Sequence, residues 1–246
     1  MEKLALTDHD ELGGVGEARS AAEDAGIGFV CGVEISVSWC GHTLHVVGLH
    51  IDPDNHELVD GLTRIRDGRL RRAETIAAGL EEAGIDASLQ GARAYVTNPR
   101  LIGRTHFARF LVGRGHARDV QAVFRKYLAP GKPGYAPHQW ATLEQAVSWI
   151  RVSGGTAVLA HPGRYKLDTE QRQSLLEDFT ELGGGAIEVV TSSHTREQHA
   201  FWGSCARRYG LSASIGSDFH GPLESSRDLG SLEDLPGGCT PVWKAW

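Results

Sequence analysis

The 246-residue chain can bury one sizeable core and lies within the range of a single α/β barrel domain. Its 25 basic and 31 acidic side chains leave a formal charge of -6, which excludes a protein that coats DNA by bulk electrostatics and restricts a nucleic-acid ligand to a pocket or local groove. Four cysteines without a CxxC pair, no basic-then-apolar leader and no apolar run near the ~18 residues of a bilayer span predict a protein of the reducing cytoplasm, without a membrane partner.

Twelve histidines beside a single methionine need an explanation, because imidazole is the commonest metal ligand among side chains. Lys3 to Leu6 reads as a short strand running into Thr7-Asp8-His9-Asp10 and a Gly13-Gly14 turn, which puts polar groups at a strand end. Val15 to Ala25 carries Ala18, Ala21, Ala22 and Ala25 at helical spacing, and Gly26 stops it. Phe29 to Val37 is a second strand with Glu34 among apolar neighbours. Alternation alone allows Glu34 to face solvent, whereas burial of its carboxylate would demand a partner such as a metal. Gly41 marks a hairpin turn into a strand over Thr43 to Leu49, where His45 shares a face with Val47. His42 and His50, at the ends of that strand, read as exposed.

From Asp54 to Leu128 the period becomes helical, so residues 54–128 are expected to form a helical insertion capping a barrel made of 1–53 and 129–246. Arg64, Arg66, Arg69, Arg71 and Arg72 are more often a solvated helix face than a phosphate track. Arg104 and His106 open a later helix with an apolar Phe107, Phe110, Leu111 face, where first-turn N–H groups favour an anion. A Gly- and Pro-rich connector, Ala129 to His138, ends the insertion. The α/β alternation then resumes: a helix from Thr142 to Val152 behind a Thr142 cap, strand Thr156 to Ala160 ending at His161-Pro162, helix Thr169 to Leu182, strand Ala186 to Val190, helix Thr195 to Tyr209, and strand Leu211 to Ile215. Ser217-Asp218-Phe219-His220 follows that last strand, where open sheets and α/β barrels do their chemistry. Taken alone, Asp218-x-His220 is more often an Asx cap with a solvated histidine.

Collected, Asp8, His9, Glu34, His45, His161, Asp218 and His220 follow or line strands. Imidazoles mixed with carboxylates suit more than one Zn, Mn or Fe ion, and paired ions are the usual solution for phosphoester hydrolysis. No GxSxG, GxGxxG or GxxxxGK motif competes with that reading.

The segments LALTDHD (Leu4 to Asp10), GVEIS (Gly32 to Ser36), HVVGL (His45 to Leu49), RTHFARFL (Arg104 to Leu111), VLAHPGRY (Val158 to Tyr165) and GSDFH (Gly216 to His220) resemble, in order, the PHP (polymerase and histidinol phosphatase) domain. They are most similar to its branch of 3',5'-nucleoside bisphosphate phosphatases that also act as 5'-to-3' exoribonucleases. The resemblance implies a distorted (β/α)7 barrel with a helical insertion and up to three divalent ions, usually manganese. It implies metal ligation by His9, Glu34 (bridging), His45, His161, Asp218 and His220, with Asp8 orienting a ligand from behind. It also implies Arg104 and His106 at substrate phosphate, and a small nucleotide or short RNA as substrate. Protonation of the leaving oxygen is expected from His106 or another site histidine. Family members carry a first strand with a His-x-His pair and a nearby Asp, and this chain starts after it. Without that first β/α unit the chain is expected to bind metal weakly and turn over slowly. A PHP phosphatase for another small phosphomonoester, such as histidinol phosphate, and a catalytically dead nucleotide- or partner-binding PHP module are the competing readings. Oligomeric state is not legible.

Overall fold

β1 (Lys3–Leu6) is an edge strand of a mixed sheet and pairs in parallel with the first four residues of β2 (Gly28–Trp39). The computed structural model describes residues 2–96, 98–137, 140–221, 225 and 227–245, so His138 of the expected connector lies outside the described residues. Between these strands runs α1 (Val15–Asp24), and Gly26 closes it at φ 67, a left-handed exit that glycine takes without steric cost. β2 folds back into β3 (His42–Leu49) through Cys40 and Gly41, both at positive φ (44 and 79), the two-residue turn whose twist matches a hairpin.

The helical stretch holds α2 (His56–Glu82), α3 (Ser88–Arg93), α4 (Arg104–Gly113) and the single turn α5 (Val120–Val123). Then come β4 (Ala141–Thr142), α6 (Leu143–Val152), β5 (Thr156–Leu159), α7 (Thr169–Glu181), β6 (Ala186–Thr191), α8 (Arg196–Arg208) and β7 (Ser212–Gly216). Among the described residues the sheet has seven strands in the order β1-β2-β3-β5-β6-β7, with β4 on β2. All its pairings are parallel except those of β3, which is antiparallel to both β2 and β5. A curled α/β sheet with one reversed strand is a distorted barrel architecture.

The chain divides into two compact units, Met1–Leu62 with Ala141–Trp246, and Thr63–Trp140. In the first, β2 and β3 are buried on both faces, so they read as near-continuous apolar runs, with Val33, Ile35, Val37, Leu44 and Val46 fully enclosed. α6 lies against them closely enough that a Cβ on Gly48 would stand 2.9 Å from Ile150 Cγ1. A reciprocal cap starts α6: Thr142 Oγ1 accepts from Gln145 N at 3.1 Å and Gln145 Oε1 accepts from Thr142 N at 2.9 Å.

The second unit has its own core, in which Ile76, Leu80, Phe107, Leu111, Val123 and Leu128 are all but inaccessible. The arginine run is not the uniformly solvated face expected from its sequence. Arg64 and Arg71 are exposed, but Arg66 is buried and donates to Thr63 Oγ1 at 2.9 Å, and Arg72 Nε donates to Ala136 O at 3.0 Å. Burial, reinforced by the charges of Arg104 and Arg69, pushes the Arg72 pKa down to about 10. The five arginines follow one another at spacings of one to three residues, so they cannot all share the solvent side of a single helix.

Candidate metal centre

Glu34 is the middle of the site. It stands in β2 opposite Val47 of β3, and it is 6% exposed, so of the two sequence readings the structure takes the buried one. Its Oε1 lies 2.9 Å from His45 Nδ1 and 3.0 Å from His161 Nε2, and its Oε2 lies 3.4 Å from His9 Nδ1. Burial works against a charge there, yet the hydrogen bonds from His161 and His45 prevail and hold the carboxyl well below its ordinary range. The same contacts act on His161: burial would lower its pKa, but the Glu34 carboxylate beside it raises it.

Each ligand type arrives by its own local device. The chain after β1 continues alongside β2, with Glu34 N donating to Asp8 O at 3.0 Å and Asp10 N donating to Glu34 O at 2.9 Å, which sets His9 beside Glu34. Asp10 then turns at φ 53 and its buried carboxylate accepts from Ser36 N (2.7 Å) and Ser36 Oγ (2.9 Å). His45 is held through its main chain, whose N–H donates to Tyr165 Oη at 2.9 Å while that hydroxyl donates to Ala160 O at 2.9 Å. Burial raises the Tyr165 pKa, so the phenol stays protonated and keeps that bond. His161 follows β5 at φ 27 and Asp218 follows β7 at φ 51. Left-handed backbone at Asp10, His161 and Asp218 is strain of roughly 1–3 kcal/mol each, of the kind that persists where surrounding contacts over-determine it.

Two groups of ligand atoms result, His9–Glu34–His45 and Glu34–His161–Asp218, each with its atoms within 4.8 Å of one another. His220 joins them at the edge: its ring centroid is 5.7 Å from that of His9, and its Nδ1 lies 2.9 Å from Asp218 O. The Asp218 Oδ2 pairs with Arg164 Nη1 at 2.5 Å, and His220 N donates to Ser225 Oγ at 2.6 Å. Asp8 is exposed, yet partial desolvation raises its pKa against the pull of His9, and its Oδ2 lies where a Cβ on Gly14 would come within 3.2 Å. The six residues expected as ligands thus come together in one place, and Asp8, next to His9 in the chain, is exposed. The donor set fits divalent ions: only oxygen and nitrogen donors, one buried carboxylate shared by both groups, and a buried His161 Nδ1 without a hydrogen-bond partner among the described residues.

No family model matches the chain. A 3',5'-nucleoside bisphosphate phosphatase from Chromobacterium violaceum is 53% identical over 241 residues, 98% of this chain and 85% of that protein. The 5'-3' exoribonuclease Rnm of Escherichia coli is 42% identical over 245 residues, 99% of this chain and 83% of that one. A structure of an amidohydrolase from Chromobacterium violaceum, with bound sulfate and no metal, superposes with a TM-score of 0.88 at 52% identity, covering 99% of this chain and 85% of that one. A protein from Bifidobacterium adolescentis described as a metal-dependent phosphoesterase reaches 0.76 at 25% identity, over 100% of this chain and 84% of its own. The chain belongs to the PHP family. Its place is in the branch of 3',5'-nucleoside bisphosphate phosphatases and 5'-3' exoribonucleases.

The PHP centre also contains residues that the sequence reading passed over. Glu188, in β6, is buried and its Oε2 accepts from His161 N at 2.6 Å. Burial pushes its pKa up to about 7, against the opposing effect of His161. His194, just past β6, accepts from Gly163 N at Nε2 (2.9 Å) and its Nδ1 lies 3.0 Å from Val189 O, which fixes a neutral tautomer with its proton on Nδ1. Burial lowers its pKa accordingly. Gln198 Nε2 donates to Gly163 O at 3.2 Å, so the turn after His161 is gripped from both sides.

In the second unit, Arg104 and His106 lie in the first turn of α4. His106 Nδ1 accepts from Gly103 N at 3.0 Å, capping the helix and leaving Nε2 as the protonated nitrogen. Burial lowers the His106 pKa, and the charge of Arg109 adds to that.

Proposed function

We propose that this protein is a metal-dependent phosphoesterase that releases the 3'-phosphate from nucleoside 3',5'-bisphosphates and trims short RNA in the 5'-to-3' direction in the cytoplasm. The observation that carries the reading is the buried Glu34 carboxylate shared by three imidazoles, in a chain 53% identical to a 3',5'-nucleoside bisphosphate phosphatase. His9, Glu34, His45, His161, Asp218 and His220 would hold the ions, for which we assign manganese, with zinc or iron as substitutes. Such ions supply a water of lowered pKa and neutralise charge that develops on phosphoryl oxygens.

The reaction is addition of water to phosphorus, cleavage of the P–O3' bond and protonation of the ribose oxygen. Glu34 keeps the imidazoles oriented, and its depressed pKa keeps it ionised, hence available to cations, through the neutral range. We assign Arg104 and His106 to substrate phosphate. Arg104 offers a planar fork of donors, and a neutral His106 offers its Nε2–H. The lowered pKa favours hydrogen-bond donation by His106 to the phosphate or leaving oxygen over release of a full proton.

A panel of adenosine 3',5'-bisphosphate, a 5'-phosphorylated oligoribonucleotide and histidinol phosphate, each with manganese, tests the assignment. Phosphate and adenosine 5'-monophosphate from the first, and no turnover of the third, are expected. Preferential hydrolysis of histidinol phosphate would contradict it.

A further inference from the structure

We propose that Glu188 is a positioning residue of the metal centre. It captures the main-chain N–H of His161, fixes the left-handed turn that aims the His161 imidazole at Glu34, and so sets metal affinity without being a ligand. The inference rests on the reading of His161 as a ligand.

β5 ends at Leu159 and His161 follows two residues later at φ 27, ψ 56, a conformation that a side chain bearing a Cβ adopts only under constraint. The constraint is visible. Glu188 stands in β6, the parallel neighbour of β5, and its Oε2 accepts from His161 N at 2.6 Å. A shorter carboxylate on β6 would not span that distance.

The acceptor is itself fixed by its surroundings. Gly216, the last residue of β7, leaves the space that Glu188 fills, because a Cβ there would collide with Glu188 Oε1. Glu188 thus lies between the strand that delivers His161 and the strand that delivers Asp218, yet it is in neither group of converging ligand atoms. The far end of the His161 turn is held separately, by His194 and Gln198 on the two sides of Gly163. Glu188 therefore secures the end that bears the imidazole, as partners behind a metal-bound histidine do elsewhere.

Manganese affinity measured by titration calorimetry on the full chain, alongside thermal melts that establish folding, tests this with three variants. Glu188→Gln keeps the reach and an acceptor oxygen but removes the charge. Glu188→Asp keeps the charge but withdraws the oxygen by one methylene. The proposal expects Glu188→Gln within about threefold of wild type and Glu188→Asp weaker by about 10–100-fold, the usual effect of losing an outer partner of a ligand. Glu188→Asp binding as tightly as wild type, or Glu188→Gln weakened as much as Glu188→Asp, overturns it. His161→Ala separates the two levels of inference: unchanged affinity there overturns the ligand assignment itself and the proposal with it.

Discussion

Glu34 and His194 show how burial decides what a polar residue does. Glu34 is surrounded by imidazoles within hydrogen-bond reach of its carboxylate, whereas His194 is buried against backbone and Trp202 and must stay neutral to accept from Gly163. His194→Gln, which loses the geometry of two simultaneous bonds, is expected to destabilise the metal-free protein by about 1–3 kcal/mol near pH 7. The pH dependence has a definite sign. His194 has a folded pKa below 6.5, so as pH falls past 6.5 the unfolded chain takes up a proton that the native state still refuses, and native stability drops until the folded pKa is passed. The gap between wild type and His194→Gln in urea melts should therefore narrow below pH 6.5. A gap that widens on acidification would contradict the neutral-acceptor role.

Which residues were legible follows from where their signal lies. His9, His161, Asp218 and His220 interrupt the sequence just after apolar runs, and a strand end is easy to read. His194 stands in the same kind of place, four residues after Val190, and the strand-end rule applied evenly would have found it. Glu188 in Ala186-Ile187-Glu188-Val189-Val190 carries the same signature as Glu34 in Gly32-Val33-Glu34-Ile35, a lone carboxylate in an apolar run. Asp10 also stands at a strand end, but its role and that of Tyr165 depend on bonds to Ser36 and His45 that close only in three dimensions, which no local signal announces.

The secondary elements are governed by shorter-range chemistry, and most were readable for that reason. The Cys40-Gly41 hairpin, the Gly26 stop of α1 and the Thr142 cap of α6 are local devices whose residue types name them. The reversed direction of β3 relative to β5 was not readable in the same way, since it depends on which strand the chain meets after a long excursion. Thr142→Ala is expected to cost about 1 kcal/mol, the ordinary worth of an N-cap. Gly216→Ala should cost more, about 1–3 kcal/mol for overpacking, because the added methyl meets the enclosed Glu188 carboxylate. Equal melting midpoints for the two variants would contradict the packing described around Glu188.

The chain forms two compact units, each with a core of its own. The groups that converge for metal lie in the sheet-bearing unit, and Arg104 and His106 lie in the helical one. No helix among the described residues is long and apolar enough to cross a membrane. This division predicts separable defects. Arg104→Ala is expected to lower kcat/KM for adenosine 3',5'-bisphosphate by about 10²-fold, the scale of losing one preorganised charge-stabilising donor, while manganese affinity stays as in wild type. A parallel loss of metal binding would contradict the assignment of Arg104 to substrate.

The most direct measurement is phosphate release from adenosine 3',5'-bisphosphate after chelation, with manganese then added back, for the wild-type chain and Glu34→Gln side by side. The predicted result is release that vanishes with chelation, returns with manganese in wild type and stays absent in Glu34→Gln. Release that is indifferent to chelation, or equal in the two proteins, would contradict a reaction centred on Glu34 and its imidazoles.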